Sequence, residues 1–280
     1  MPVLVRYDEI GIKGKNRARF ENVLVRNIEA NLRSNNVKFS EVRRAYGRII
    51  IETDESCSSL KKVFGISSFS QATNAGKTID EAAAVAKKLV ESLSENDSFR
   101  VSCQRLDKKF SLTSHQACSE LGSRVARMTK AKVRMENPSV NIQLEIIDGN
   151  IYVLAGRIEG PGGMPVGCQG VAVALVEDDD SVTAALLVMK RGCKIIPAVI
   201  KNAGFALIRD FSPEKIVQWN IKSVSELDEV CRKQKSQAVV VNDSFGKFRE
   251  IPVSAVVLRP LSGFSPQEIK NERKKIESLA

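Results

Sequence analysis

The chain has 280 residues, 43% hydrophobic and 27% charged, a balance that suits a globular protein of two or three domains. It holds no run of 18 or more apolar residues, and the opening MPVLVRYDEI has no basic stretch ahead of an apolar one, so neither a membrane span nor a secretory leader is expected and a cytoplasmic location is. One histidine, His115, and six scattered cysteines with no C-x-x-C pair argue against a structural zinc site and against histidine acid–base catalysis, whereas a net charge of +10 favours a polyanionic partner.

In chain order, Val3 to Tyr7 reads as a short apolar strand, followed by the loop Asp8 to Asn16 and a helix carrying Phe20, Val23, Leu24, Ile28 and Leu32 at helical spacing. Gly47 to Glu52 is a second strand. Cys57 to Phe64 is a short helix leading to a strand over Ile66 to Ser70. This order suggests a ferredoxin-like half-domain. The next unit opens with a helix from Ile79 to Leu93, for which Thr78 and Glu81 form a capping box. A strand at Phe99 to Cys103 and a helix at Thr113 to Met128 follow, placing His115 on the surface at a helix start. The strands Ile142 to Ile146 and Ile151 to Leu154 make a hairpin around Asp148-Gly149-Asn150.

Gly160 to Gly170 holds five glycines and two prolines and is expected to be an inter-domain linker. Val171 to Val176 is a continuous apolar run, as for a strand buried on both faces. A helix over Val182 to Arg191 and a strand over Lys194 to Ile200 complete a strand–helix–strand unit, which indicates a parallel sheet. Val224 to Lys233 is a helix, Ala238 to Val241 a strand, and Pro266 to Ser278 a closing amphipathic helix.

The basic excess is even between domains: net +3 over 1–60, +4 over 61–165 and +3 over 166–280. Locally it is concentrated. Nine basic residues face two acids between Arg100 and Arg134, and Lys13, Lys15, Arg17 and Arg19 stand unopposed between Ile10 and Phe20. Such clusters suit phosphate contacts, and they equally suit a solvated face.

Several blocks are familiar. RYDEIGIKGKNRARFE (Arg6 to Glu21), GRIII (Gly47 to Ile51), KVFGISSFSQA (Lys62 to Ala72) and GPGGMPVGCQG (Gly160 to Gly170) resemble blocks of the tRNA 4-thiouridine synthases, the ThiI family. LVMKRGCKIIPAVI (Leu187 to Ile200), VVVNDSFGKF (Val239 to Phe248) and VLRPLSGFSPQEI (Val257 to Ile269) resemble its C-terminal blocks. The resemblance implies a multidomain α/β and α+β fold. Residues 1–60 would be a ferredoxin-like domain, 61–165 a tRNA-binding THUMP domain, and 166–280 a shortened Rossmann-like PP-loop domain of the adenine nucleotide α hydrolase type. It implies tRNA as partner, gripped at the acceptor end, and the basic clusters offer Lys13, Lys15, Arg17, Arg105, Lys108, Lys109, Arg124 and Arg127 as the phosphate contacts. A homodimer and a separate sulfur-donor or catalytic subunit are further partners it allows.

The family adenylates a tRNA uridine and replaces its oxygen with sulfur, using a PP-loop that reads SGGxDS between a strand and a helix. The matching positions here are Val176, Glu177, Asp178, Asp179, Asp180 and Ser181. Glycine lets the loop's N–H groups approach phosphate, whereas two like charges about 4 Å apart at an effective dielectric near 20 repel by roughly 4 kcal/mol. The expectation is therefore a tRNA-binding protein with a degenerate loop that cannot adenylate and holds no cofactor and no metal. The alternative is an ATP-dependent or partner-assisted tRNA sulfurtransferase using ATP and magnesium, with Asp180 and Ser181 as its catalytic candidates. Three readings of the acids compete: helix caps with Asp180 or Ser181 as the cap, a magnesium cluster, or an unrelated acid-based chemistry with no visible partner group. The blocks ending at Ile200 and beginning at Ala238 are closer together than the family places them. The thiols of this region are Cys168, accessible in the linker; Cys193, expected to be packed at a strand start; and Cys231, whose neighbours Arg232 and Lys233 would lower its pKa.

Overall fold

The structure is a computed structural model that describes residues 1–279. In chain order the elements are β1 (Val3–Arg6), α1 (Arg17–Ser34), β2 (Glu41–Ala45), β3 (Arg48–Glu52), β4 (Ser68–Gln71), β5 (Thr73–Asn74), α2 (Ile79–Val90), β6 (Ser98–Arg105), α3 (Ser114–Ala126), β7 (Lys132–Val133), β8 (Val140–Ile147), β9 (Asn150–Ala155) and β10 (Ile158–Glu159). They continue with β11 (Val171–Val176), α4 (Asp179–Lys190), β12 (Lys194–Val199), α5 (Ala206–Asp210), β13 (Trp219–Asn220), α6 (Leu227–Gln234), β14 (Ala238–Val240), β15 (Val256–Leu258) and α7 (Pro266–Glu277). The expected helix at Cys57 to Phe64 is a single 3-10 stretch, Ser58–Lys62. Among the described residues no helix is long and apolar enough to cross a membrane.

The chain divides into two compact units, each discontinuous in sequence. The first comprises Met1–Arg6, Lys38–Ser56 and Ser68–Ile158. Its strands form two five-stranded sheets, ordered β10-β4-β1-β3-β2 and β5-β9-β8-β6-β7. In the first sheet β1 lies antiparallel between β3 and β4. In the second, β6 runs parallel to β8, and β8 pairs antiparallel with β9 with Ile147 opposite Asn150, so the hairpin turns through Asp148-Gly149 as its sequence indicates. Thr78 and Glu81 form the expected capping box, and Thr113 with Gln116 forms another. The apolar faces of α2 and α3, including Ala82, Ala86, Ala117 and Leu121, share a core with Phe99, Ile142, Leu144 and Val153. Leu4 and Ile50 share another with Ile147, Tyr152 and Leu154.

Behind that apolar cluster lies a buried charge. Glu145 on β8 is 3% exposed and accepts from Arg6 Nε at 2.7 Å and from Arg48 Nε at 2.6 Å. Arg48 also donates to Gln104 Oε1 at 2.5 Å, and Arg6 to Ser70 Oγ at 3.0 Å. Burial lowers the Arg6 pKa, against the pull of Glu145, so the triad stands by mutual pairing.

The second unit comprises Tyr7–Val37, Cys57–Ser67 and the chain from Glu159 onward. The glycine-rich stretch 160–170 is irregular, as its composition requires, but it is no loose tether. Met164, Val166 and Cys168 are buried, and Asn27 Nδ2 on α1 donates to the Val166 carbonyl at 3.0 Å. A Cβ on Gly163 would stand 2.3 Å from the Lys190 carbonyl oxygen, so only glycine fits there. Beyond it lies the parallel sheet, ordered β13-β12-β11-β14-β15, with each strand parallel to its neighbours. Alternate residues of β11 face opposite cores. Ala172, Ala174 and Val176 pack with Leu186 and Met189 of α4, Ile208 of α5 and Ile269 of α7. Val173 and Leu175 pack with Leu227 and Val230 of α6. Helices cover both faces, which is why β11 is a continuous apolar run. Each fully buried aliphatic side chain of this kind contributes about 1.5–3 kcal/mol.

The elements that sequence periodicity missed are edge strands or short pieces. β2 reads EVRRA, with only Val42 buried. Charged edge strands resist further pairing and carry little hydrophobic signal. β13 and β15, the two edges of the parallel sheet, have two and three residues.

Candidate functional site

β11 and β14 are neighbours at the point where the parallel sheet reverses its order, and open α/β sheets take ligands at the carboxyl ends of such strands. The four acids stand there. Val176 is buried, and Asp178, in extended backbone, is the N-cap of α4. This corrects the expectation that Asp180 or Ser181 caps the helix. The Asp178 carboxylate accepts from Ser181 N at 2.8 Å, and Ser181 Oγ accepts from the backbone N of Glu177 at 2.9 Å and of Asp178 at 3.0 Å. Ser181 is thus buried as half of a capping box. The amides of Glu177, Asp178 and Ser181, groups of the kind that in a phosphate loop point at the ligand, are engaged inside the loop.

The acid side chains are also engaged. Asn242, just past β14, donates Nδ2 to both Asp178 carboxylate oxygens at 2.9 and 3.0 Å. Arg249 donates NH1 to Glu177 at 2.7 Å and NH2 to the Asn242 Oδ1 at 2.6 Å. Its Nε reaches Asp243 Oδ1 at 2.9 Å and its backbone N reaches Oδ2 at 3.1 Å. Arg259 donates Nε to the same carboxylate at 2.9 Å. On the helix side, Arg273 of α7 donates to Asp179 at 2.8 Å, to Asp180 at 2.5 Å and to Thr183 Oγ1 at 3.2 Å. Asp243 is 2% exposed. Burial alone would raise its pKa, but the hydrogen bonds from Arg249 and Arg259 carry it below the ordinary carboxylate range.

Five carboxylates therefore meet three arginines in two clusters: Glu177, Asp178 and Asp243 with Asn242, Arg249 and Arg259, and Asp179 and Asp180 with Arg273. The arginines offset part of the charge repulsion that the sequence suggests. What remains is that the Asp178 carboxylate caps the head of α4 and that the amides of Glu177 and Asp178 are taken by Ser181 Oγ. No group of three or more metal-ligating side chains comes together among the described residues, and of the four acids Glu177, Asp179 and Asp180 are held by arginine and Asp178 by Asn242. Asn242, Arg249 and Arg273 escape sequence reasoning because their partners in the acid loop lie far along the chain: 64 residues for Asn242–Asp178, 72 for Arg249–Glu177 and 93 for Arg273–Asp180.

The eight basic residues expected to touch tRNA fall into two groups. Lys15, Lys108, Lys109 and Arg127 are exposed. Lys13 is half-buried, its Nζ 5.7 Å from the Phe20 ring centre. The other three are tied inward. Arg17 donates to Glu21 at 2.8 Å and to the Tyr7 hydroxyl at 2.6 Å. Arg105 NH1 bonds the carbonyls of Phe110 and Leu112 at 3.3 and 3.1 Å, bracing the loop that carries Lys108 and Lys109. Arg124 pairs with Asp80 at 2.8 Å. Tyr46, 66% exposed and unremarked in the sequence, lines an open cleft with Leu106, Lys108, Lys109 and Asp148.

Two expectations about thiols are corrected. Cys168 is buried, not accessible, and burial raises its pKa. Cys231 is buried against the parallel sheet, and burial raises its pKa too, with Asp228 adding to the effect. Arg232 and Lys233 point to solvent and do not lower it. Cys193 is half-buried, with its pKa also raised by burial.

Comparison with known proteins adds the following. The model of the ThiI ferredoxin-like domain matches residues 2–70, and that of the THUMP domain matches residues 76–155. The chain is 27% identical to a probable tRNA sulfurtransferase of Thermococcus kodakarensis, over 98% of this chain and 87% of that protein. It is 36% identical to a probable tRNA sulfurtransferase of Methanobrevibacter smithii over 72% of this chain, but spans only 54% of that protein. Among solved structures it is similar to PH1313 from Pyrococcus horikoshii Ot3, with a TM-score of 0.87, 27% identity and 99% of both chains covered. It is also similar to a 4-thiouridine synthetase crystallised with RNA and bound ATP, with a TM-score of 0.77 and 27% identity over 99% of this chain and 85% of that one.

Proposed function

The chain belongs to the ThiI family, with a ferredoxin-like domain and a THUMP domain, and from that premise we propose that it is a tRNA-binding protein whose own side chains close the family's nucleotide site. The observation that carries this reading is the loop itself: Ser181 takes the amides of Glu177 and Asp178, and the Asp178 carboxylate caps α4 where a phosphate would sit. The protein binds tRNA and does not adenylate it. We keep 1–60, 61–165 and 166–280 as its functional segments. Lys13, Lys15, Lys108, Lys109 and Arg127 contact phosphates, while Arg17, Arg105 and Arg124 hold the segments that present them.

Two measurements test this. Gel shifts with tRNA at rising salt should show binding that weakens steeply, by about 0.9 log units per log unit of salt for each duplex phosphate neutralised. No binding at low salt would refute the reading. Calorimetric titration with ATP, with and without magnesium, should show no heat of binding. Tight binding that Asp180→Ala abolishes would instead establish the sulfurtransferase alternative, with Asp180 and Ser181 in its site.

A further inference from the structure

The loop between β14 and β15 has a feature that the closed site does not explain. Of the eleven phenylalanines in the chain, all among the described residues, only Phe245 and Phe248 are exposed, at 81% and 58%. Both sit at the tip of this loop. Its foot is tied down. Asp243 receives the backbone N and the Nε of Arg249 and the Nε of Arg259, so the two ends of the tip are tied to one buried carboxylate. The tip closes on a turn as well. Lys247 N donates to the Ser244 carbonyl at 3.0 Å, and Gly246 at φ +75° sits third in that turn, which places Phe245 at its corner. A braced turn that holds two phenyl rings in water is preorganised for contact rather than left over from folding.

The charges nearby say what kind of contact. Glu177, Asp178, Asp179, Asp180 and Asp243 outnumber Arg249, Arg259 and Arg273 in the clusters below, and Lys247 is the one cation on the tip. A phosphate backbone is not drawn to such a place, but a base is, because stacking on an aromatic ring needs no charge and accepts any base. The loop also stands at the carboxyl end of β14, beside the order reversal of the sheet, where ligands of this architecture approach. We propose that Phe245 and Phe248 form a stacking platform for an unpaired base of the bound RNA. The inference rests on the RNA-binding reading above. It adds that the C-terminal unit takes hold of the RNA through base faces, while the basic surfaces take hold through phosphates.

The test uses the full chain and fluorescence anisotropy with two labelled probes: an oligouridylate of about eight nucleotides and an RNA duplex of about 16 base pairs. F245A/F248A should lose on the order of 10-fold or more in affinity for the single strand, with the salt slope unchanged and duplex binding intact. F245W/F248W should keep single-strand affinity. The proposal is overturned if F245A/F248A binds the single strand as wild type does, or if both probes weaken equally. It is also overturned if sedimentation shows a wild-type dimer that F245A/F248A dissolves while RNA affinity stays the same, which would make the loop a contact between copies of the chain. If wild type binds neither probe at low salt, the RNA-binding reading itself falls, and the platform with it.

Discussion

Replacing Asp178 with alanine tests whether the acid loop is a structural element in its own right. The carboxylate accepts from Ser181 N at 2.8 Å and from Asn242 Nδ2 at 2.9 and 3.0 Å. Loss of an N-cap acceptor costs about 1 kcal/mol. Loss of a negative charge at a helix N-terminus costs about 0.3–1 kcal/mol more, and the freed Asn242 amide regains only water. The sum is about 2 kcal/mol, which at about 2–4 °C per kcal/mol for a chain of this size lowers the melting temperature by about 4–8 °C. Asp178→Gly, which restores the family's residue, should cost less, about 0.5–1.5 kcal/mol, since glycine is tolerated at an N-cap but loses the same charge at the helix terminus. Asp179→Ala is the control: its side chain is 81% exposed and its ion pair with Arg273 is worth little. Differential scanning fluorimetry on the three variants decides the matter. An Asp178→Ala protein that melts within about 1 °C of wild type would refute the reasoning, and so would an Asp179→Ala protein that loses as much as Asp178→Ala.

Three further outcomes are expected. Glu145→Ala leaves Arg6 and Arg48 buried without their counter-ion and should destabilise the first unit by about 3–5 kcal/mol, with Glu145→Gln milder; calorimetric melting measures both. Asp243 has its folded pKa below its unfolded value near 3.9, so the stability it contributes is present above about pH 4 and is lost as pH falls through the folded value. The melting difference between wild type and Asp243→Asn should therefore be constant from about pH 7 to 5 and shrink below about pH 4. Cys168 and Cys231, buried with raised pKa values, should react with a thiol reagent in native protein far more slowly than free cysteine near pH 8; rapid labelling of either would show that its burial is wrong.

Legibility in the sequence followed the range of the forces involved. Thr78 and Glu81 are three residues apart, and their capping box forms as the sequence indicates. Asp148-Gly149 turns a hairpin whose register follows from the turn. β11 is buried on both faces and matches its expected bounds. The edge strands β2, β13 and β15 were missed because partners supply their hydrogen bonds and little apolar patterning marks them. Cys168 shows the same limit: glycine content makes its segment irregular, but only packing beside Val23 and Phe20 of α1 makes it buried.

The stretch Val176 to Ser181 divides along the same line. Residue identity alone determined that a strand passes into a helix there, that carboxylates replace the loop glycines, and that one of these acids caps the helix, because capping and backbone freedom are local properties. Only the tertiary structure decided which acid is the cap, that Ser181 Oγ takes the amides of Glu177 and Asp178, and that Arg249, Arg259 and Arg273 pair with the acids. Those partners arrive from β14, β15 and α7, and an ion pair between residues tens of positions apart exists only once the sheet has brought its strand ends together.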